Sequence, residues 1–145
     1  ESETVSVELM VNLGFALAKQ NRYRDAIDTL EAALDFVDGP KGVDSALVQA
    51  KRPEVFIALG DALYQLGEFK EAERYLLKAM NFDHFDRLDL TTQYNLYGTL
   101  CEIYVREKKP AHAKGILVTL KNIARSLPEA AEHVQSLEEQ IKSAT

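Results

Sequence analysis

The sequence contains little of what cross-links a chain, interrupts its helices or anchors it in a membrane. Its 145 residues include one cysteine, no tryptophan, seven glycines and four prolines. The single cysteine, Cys101, cannot close an intrachain disulfide, and it excludes a zinc or iron–sulfur site built from several cysteines. No apolar run approaches about 18 residues, so we expect no insertion into a membrane.

The low glycine and proline content also indicates the fold class. A β-sandwich or barrel needs frequent turns, whereas abundant alanine and leucine favour helices. Apolar residues make up 46% of the chain and charged residues 28%, as in folded globular proteins. The 17 Lys and Arg residues are outnumbered by 23 Asp and Glu residues, and the net charge of −6 argues against nucleic acid as the main partner.

The motifs of catalysis and of cofactor binding are missing as well. The loop at 39–42 has glycine and lysine but lacks the spacing and the Ser or Thr of a nucleotide-binding loop. The three histidines, among them His84, lie in different predicted elements. The acidic loop at 83–89 lacks the ligand pattern of a calcium site. We therefore expect no catalytic residues, no metal and no cofactor.

Apolar residues recur at positions i, i+3, i+4 and i+7 along the whole chain, which indicates an all-α fold. In the first helix, Leu9, Leu13, Ala16 and Leu17 are expected to share the face that packs against the rest of the fold. Seven helices are predicted, at about 4–20, 23–37, 54–66, 69–81, 89–107, 110–125 and 127–143.

Several helix boundaries can be assigned from capping residues. Asp89 is a plausible N-cap, Pro110 suits a first helical turn, and Ser126 with Glu129 has the spacing of a capping box. The segment 43–52 is left open. It could form an extra helical turn, with Pro53 either starting a new helix or kinking a longer one.

One pattern occurs three times, first in residues 10–33, then 46 residues later and again, more weakly, 41 residues after that. Nine positions keep the same internal spacing. Gly14, Gly60 and Cys101 share one position, where the first helix of each unit must approach its partner closely. Cys101 is therefore expected to be a buried, unreactive thiol. In the first copy the nine positions are Met10, Leu13, Gly14, Leu17, Asn21, Tyr23, Ala26, Leu30 and Ala33.

This pattern resembles the tetratricopeptide repeat (TPR) family. The resemblance implies a right-handed α-α superhelix in a single domain over 1–145, with repeats at about 4–38, 53–82 and 89–125 and a capping helix at about 127–143. The copies start 46 and 41 residues apart instead of about 34, so longer connections are expected. The chain has no initiator Met, and we expect it to be a fragment of a larger protein.

The resemblance also implies a function. The first helices of such repeats line a concave groove that holds peptides or helices of partner proteins, so a non-catalytic adaptor or scaffold is expected. An alternative is a structural subunit or self-associating segment of a larger assembly, and a homo-oligomer is compatible with both. The corresponding groove positions are Glu8, Val11, Asn12, Phe15, Ala18 and Lys19; Glu54, Ile57, Ala58, Asp61, Tyr64 and Gln65; and Asn95, Gly98, Thr99, Glu102, Val105 and Arg106.

The groove positions restrict the kind of partner. Family members that hold the C-terminal carboxylate of heat-shock chaperones use Lys and Asn where this chain has Val11, Phe15 and Ala58. That clamp is therefore absent, and the acidic groove residues would repel a carboxylate. A partner segment with apolar anchors and basic residues is expected. Cytoplasmic location is expected, or nuclear in a eukaryote, with the periplasm left open.

Overall fold

A computed structural model describes residues 2–40, 42–83 and 85–144. Lys41 of the 39–42 loop and His84 of the acidic loop lie outside the described residues. The described residues contain no β-strand, so the prediction of an all-α fold is confirmed. The helices are Ser2–Lys19 (α1), Tyr23–Asp38 (α2), Ala46–Gln65 (α3), Phe69–Met80 (α4), Leu90–Arg106 (α5), Pro110–Ala124 (α6) and Ala131–Ser143 (α7), with 3-10 turns at Phe85–Arg87 and Pro128–Ala130.

The chain divides into two compact units, residues 1–79 and 80–145. The first unit holds α1 to α4, in which α2 packs on both α1 and α3 and α1 also packs on α3. The second holds α5 to α7, in which α6 packs on α5 and α7 packs on both. Each unit is therefore built from helix hairpins, as the repeated pattern predicts.

The three turns within the hairpins have the same backbone conformation. Asn21, Gly67 and Lys108 each have a positive φ, of 62°, 80° and 59°. The amide that follows each of them donates to the carbonyl five residues back, at 3.0, 2.9 and 2.8 Å. This left-handed helix ending satisfies carbonyls that the helix itself leaves unpaired. The 46- and 41-residue spacings of the sequence thus reappear as three equivalent turns.

The small residue of each copy lies where the two helices of a hairpin touch. A Cβ at Gly14 would lie 2.5 Å from Leu30 Cγ, and a Cβ at Gly60 would lie 2.6 Å from Leu76 Cγ. In the third hairpin, the Sγ of Cys101 lies 3.7 Å from the carbonyl oxygen of Ala113. The close approach predicted from these residue types is present in all three hairpins.

The segment that the sequence left open forms part of a long helix. α3 begins at Ala46, eight residues before the predicted start, and continues through Pro53. Ser45 is its N-cap, and its hydroxyl accepts a hydrogen bond of 3.1 Å from the amide of Val48. Pro53 is tolerated inside the helix, although it can donate no backbone hydrogen bond there.

Replacing Ser45 by alanine is expected to lower the free energy of unfolding by about 1 kcal/mol, because the helix loses a buried cap. Ser45 is 1% exposed, and its hydroxyl also donates to Oε2 of Glu8 at 3.2 Å. Urea unfolding followed by circular dichroism measures the change. Ser126→Ala is the matched control and should leave the unfolding midpoint nearly unchanged.

The predicted capping box of Ser126 and Glu129 is wrong, so Ser126→Ala removes no helix cap. Ser126 and Glu129 form no capping box, because the chain passes through a 3-10 turn and α7 begins only at Ala131, with no side-chain cap. The Asp89 cap, in contrast, is confirmed: its carboxylate accepts a hydrogen bond of 2.9 Å from the amide of Thr92. That bond lowers the pKa of Asp89. Pro110 begins α6, as predicted.

The predicted packing face of the first helix is also wrong. Only Leu17 of the four predicted residues is buried, whereas Leu9 and Leu13 are 62% and 53% exposed. α1 packs through the opposite face instead. That face consists of Val7, Val11, Gly14 and Leu17.

Candidate functional site

The first unit holds α1 and α3 side by side, with both helices beginning at the same end. Two hydrogen bonds join their starts. The Thr4 hydroxyl donates to the carbonyl of Asp44 at 2.8 Å, and the Ser45 hydroxyl donates to Glu8 at 3.2 Å. Equivalent residues of the two helices therefore lie along neighbouring parallel lines.

Most of the predicted groove residues on these helices form one accessible stripe. They follow the spacing i, i+4, i+7 and i+11, which places them on a single side of each helix. All of them are half-buried or exposed. The α1–α3 stripe, as we call it, consists of Glu8, Asn12, Phe15 and Lys19 on α1 and Glu54, Ala58, Asp61 and Gln65 on α3.

One predicted groove position is unavailable in every copy. Val11 is 1% exposed and Ile57 is 6% exposed, and Gly98 at the equivalent place is also buried. In the second unit the reason is visible, because the Cε1 of His133 in α7 lies 3.4 Å from where a Cβ at Gly98 would be. This position faces a neighbouring helix of the fold, so Val11 and Ile57 are removed from the candidate site.

Two aromatic rings offer apolar surface at the stripe. Phe15 is half-buried in the middle of its α1 row. Tyr64 lies beside the α3 row and is also half-buried, with its ring 5.6 Å from that of Phe69 across the turn into α4. Half-buried rings are held in place by the fold and still present apolar area to a ligand.

The polar part of the stripe is mainly acidic. Glu8, Glu54 and Asp61 contribute three carboxylates, and Lys19 contributes one ammonium group at the C-terminal end of α1. The Glu54 carboxylate lies 3.1 Å from the Nζ of Lys51, in an ion pair that is substantially exposed and therefore weak. Carboxylates spaced along adjacent helices create a negative potential that favours cationic side chains.

The corresponding stripe of α5 is partly covered by α7. Asn95 and Arg106 are exposed, but the Oε2 of Glu102 lies 3.6 Å from the Nε2 of His133. The other ring nitrogen of His133 shares a hydrogen bond with the Tyr94 hydroxyl. Burial, with smaller effects from Glu102 and Cys101, raises the pKa of Tyr94. Glu102 therefore has an interaction partner, His133, within its own unit.

Cys101 is buried, as the sequence predicted. Its side chain is fully inaccessible, and burial, together with the nearby Glu102 carboxylate, raises the pKa of the thiol to about 11. A nucleophilic cysteine needs a thiolate at neutral pH, and such a group normally has a lowered pKa and some exposure. The cysteine therefore serves packing between α5 and α6.

The first unit has a second surface feature that no pattern in the sequence predicted. A shallow depression lies where α2, α3 and α4 meet, and an ion pair of 3.4 Å between Arg24 and Glu68 lies at it. Its lining residues come from two separate stretches of the chain, 24–31 in α2 and 63–71 at the turn from α3 into α4, which explains why no local pattern predicts it. The depression is lined by Arg24, Ile27, Glu31, Leu63, Glu68, Phe69, Lys70 and Glu71.

Comparison with protein families gives two matches. Residues 7–36 and residues 53–84 each match a family model described as a tetratricopeptide repeat. The matched segments coincide with the α1–α2 hairpin and with the part of the α3–α4 hairpin that follows residue 52. No curated protein matches the chain. Among the described residues, no helix is long and apolar enough to cross a membrane.

Proposed function

Because the chain is a tetratricopeptide repeat protein, and such repeats generally serve protein–protein interaction, we propose that its first unit binds a segment of a partner protein along the α1–α3 stripe. The partner segment is helical or extended. It carries apolar side chains that contact Phe15 and Tyr64, and Lys or Arg side chains that face the carboxylates. The chain acts through binding, as an adaptor or scaffold, without catalysis.

The observation that supports this proposal most is the combination of two fixed aromatic rings with three carboxylates on one accessible side of α1 and α3. A few anchor residues supply most of the binding energy in protein interfaces, and aromatic residues are common among them, whereas charges around them speed association and select partners. Residues on two adjacent helices at repeating spacing can follow a ligand along its length. An acidic stripe repels nucleic acid and the acidic, carboxylate-ended tail of a chaperone.

A selection from random peptides displayed on phage, with the 145-residue chain as the immobilised target, tests the proposal. We expect selected peptides to be enriched in Leu, Ile or Phe together with Lys or Arg. A selected peptide made synthetically should bind with an affinity that falls as salt increases, because exposed charges are screened.

Two sets of charge-neutralising substitutions then locate the site. The triple variant Glu8→Gln, Glu54→Gln and Asp61→Asn should weaken binding of the selected peptide about tenfold and flatten its salt dependence. Phe15→Ala should weaken it at least as much. Unchanged affinity in both variants, with helicity intact, would refute the proposal. The matched control neutralises three exposed carboxylates of the second unit, namely Glu129, Glu132 and Glu139.

A further inference from the structure

One side of α6 is basic and open to solvent. Lys114, Val118, Lys121 and Arg125 lie on it at the spacing i, i+4, i+7 and i+11, so they share one side of the helix. All four side chains are exposed. Arg125 follows the last residue of α6 and keeps helical backbone angles, with φ of −58° and ψ of −29°. We call these four residues the α6 stripe, which is about 17 Å long.

The positive charge of the α6 stripe is available to a ligand. α6 contains no Asp or Glu. In the part of the chain that the structure describes, neither Lys114 nor Arg125 has an ion-pair partner. Lys121 is paired with the Glu138 carboxylate of α7, but both side chains are substantially exposed, so the pair is weak. Carboxylates of a ligand can therefore reach all three cations.

Apolar surface accompanies these charges. Val118 lies between Lys114 and Lys121 and is 62% exposed. A Cβ at the neighbouring Gly115 would meet no atom within 4 Å, so the surface beside the valine is open. Near the end of the stripe, a shallow depression between α6 and α7 is lined by Lys121, Ala124, Arg125, Ala131, Val134, Gln135 and Glu138.

The internal repeat indicates that a helix fits this place. Lys114 and Val118 correspond to Ile27 and Glu31 of α2 in the first copy of the pattern. There the position is a contact between helices, because the hydroxyl of Tyr75 in α4 donates to Glu31 at 2.8 Å. In the second unit, α7 packs on α5 and α6 as α3 packs on α1 and α2, and no further helix of its described residues takes the place of α4.

We propose that the α6 stripe binds an acidic helical segment of a partner protein, which lies along α6 as α4 lies along α2. Carboxylates of the segment face Lys114, Lys121 and Arg125, and an apolar side chain contacts Val118. The opposite charges attract the segment and fix its register on α6. This site differs from the α1–α3 stripe in its position and in the sign of its charge, so the two sites select different segments.

The chemistry of the α6 stripe favours a protein segment over nucleic acid or a lipid surface. An extended polyanion is repelled by Glu138, which lies beside Lys121, and by the net charge of −6. A helix that lies in a membrane surface needs a broad apolar face, whereas Val118 is a single apolar side chain among three cations. A short acidic helix can place its few carboxylates on the cations and avoid Glu138.

A displayed library of alanine-based helical peptides, randomised among Glu, Gln, Lys and Leu along one side, tests the proposal with the 145-residue chain as the target. We expect one class of selected peptides to combine Glu with Leu, and its binding should weaken as salt increases. A selection that yields no such class would overturn the proposal. So would binding of a DNA duplex or of phosphatidylserine vesicles that is lost when the α6 cations are neutralised.

Substitutions then locate the binding of a synthetic acidic peptide from this selection. The triple variant Lys114→Gln, Lys121→Gln and Arg125→Gln should weaken it about tenfold, since each exposed ion pair contributes a few-fold at most. The matched control removes three exposed cations of the chain elsewhere and should bind as the wild type does. Its substitutions are Arg22→Gln, Lys70→Gln and Arg87→Gln.

Glu138→Gln is expected to strengthen binding of the acidic peptide several-fold, because it frees Lys121 and removes a like charge from the edge of the site. A merely unfolded or loosened variant would not bind more tightly. Neutralising the carboxylates of the α1–α3 stripe should leave the affinity for the acidic peptide unchanged, which separates this site from the one in the first unit. Unchanged affinity in the α6 triple variant, or weaker binding by Glu138→Gln with helicity intact, would refute the proposal.

Discussion

Leu59→Ala is expected to lower the free energy of unfolding by about 3 kcal/mol, whereas Leu13→Ala should change it by less than about 0.5 kcal/mol. The two leucines occupy the same position of the repeated pattern, 46 residues apart. Leu59 is 0% exposed, so alanine would leave a cavity among side chains that cannot fully collapse into it. Leu13 is 53% exposed, so little contact within the chain is lost.

Urea unfolding of both variants in dilute protein measures this difference. Equal losses of stability at the two positions would contradict the exposure of Leu13 that the structure describes. A neutral Leu59→Ala would contradict the packing of α3.

Gly60→Ala should destabilise the protein by about 2 kcal/mol, and Gly115→Ala should stabilise it by about 0.8 kcal/mol. Both glycines lie inside helices, where alanine is intrinsically favoured. At Gly60 the new Cβ would lie 2.6 Å from Leu76 Cγ and 3.2 Å from the carbonyl oxygen of Ala72. At Gly115 it would meet no atom within 4 Å.

The two substitutions change the free energy of unfolding in opposite directions because the space around the new methyl group differs. Leu76 is fully buried, so it can move away only by disturbing the packing of α3 on α4. Thermal and urea unfolding of the two single variants provide the test. A stabilising Gly60→Ala would show that the hairpin does not need the close approach. A destabilising Gly115→Ala would mean that its surroundings are not open.

The features that the sequence predicted correctly are mainly local. Helix type, the Asp89 cap and the Pro110 start depend on residues a few positions apart. The close contact of Gly60 with Leu76 and the turn at Asn21 could both be predicted, because the same spacing occurs three times in the sequence. Equivalent positions within one chain constrain each other.

Apart from the capping box of Ser126 and Glu129, the errors concern which residues face a neighbouring helix. The sequence placed Leu9 and Leu13 on the packing face because they share the helical spacing of the apolar residues in the first helix. It placed Val11 and Ile57 in the groove because the resemblance put them on an accessible side. Which face of a helix is covered depends on the helices next to it, and periodicity cannot show whether such a neighbour is present.

The sequence by itself thus determined that the chain is helical, repeated and of the TPR type, because helix periodicity and hairpin geometry are encoded within short stretches. Only the tertiary structure decided which faces remain open. In the structure Val11 and Ile57 are buried, Glu102 lies beside His133 of α7, and Leu9 and Leu13 of α1 are exposed. The physical reason is that burial is a property of neighbouring elements, whereas the sequence pattern describes each helix alone.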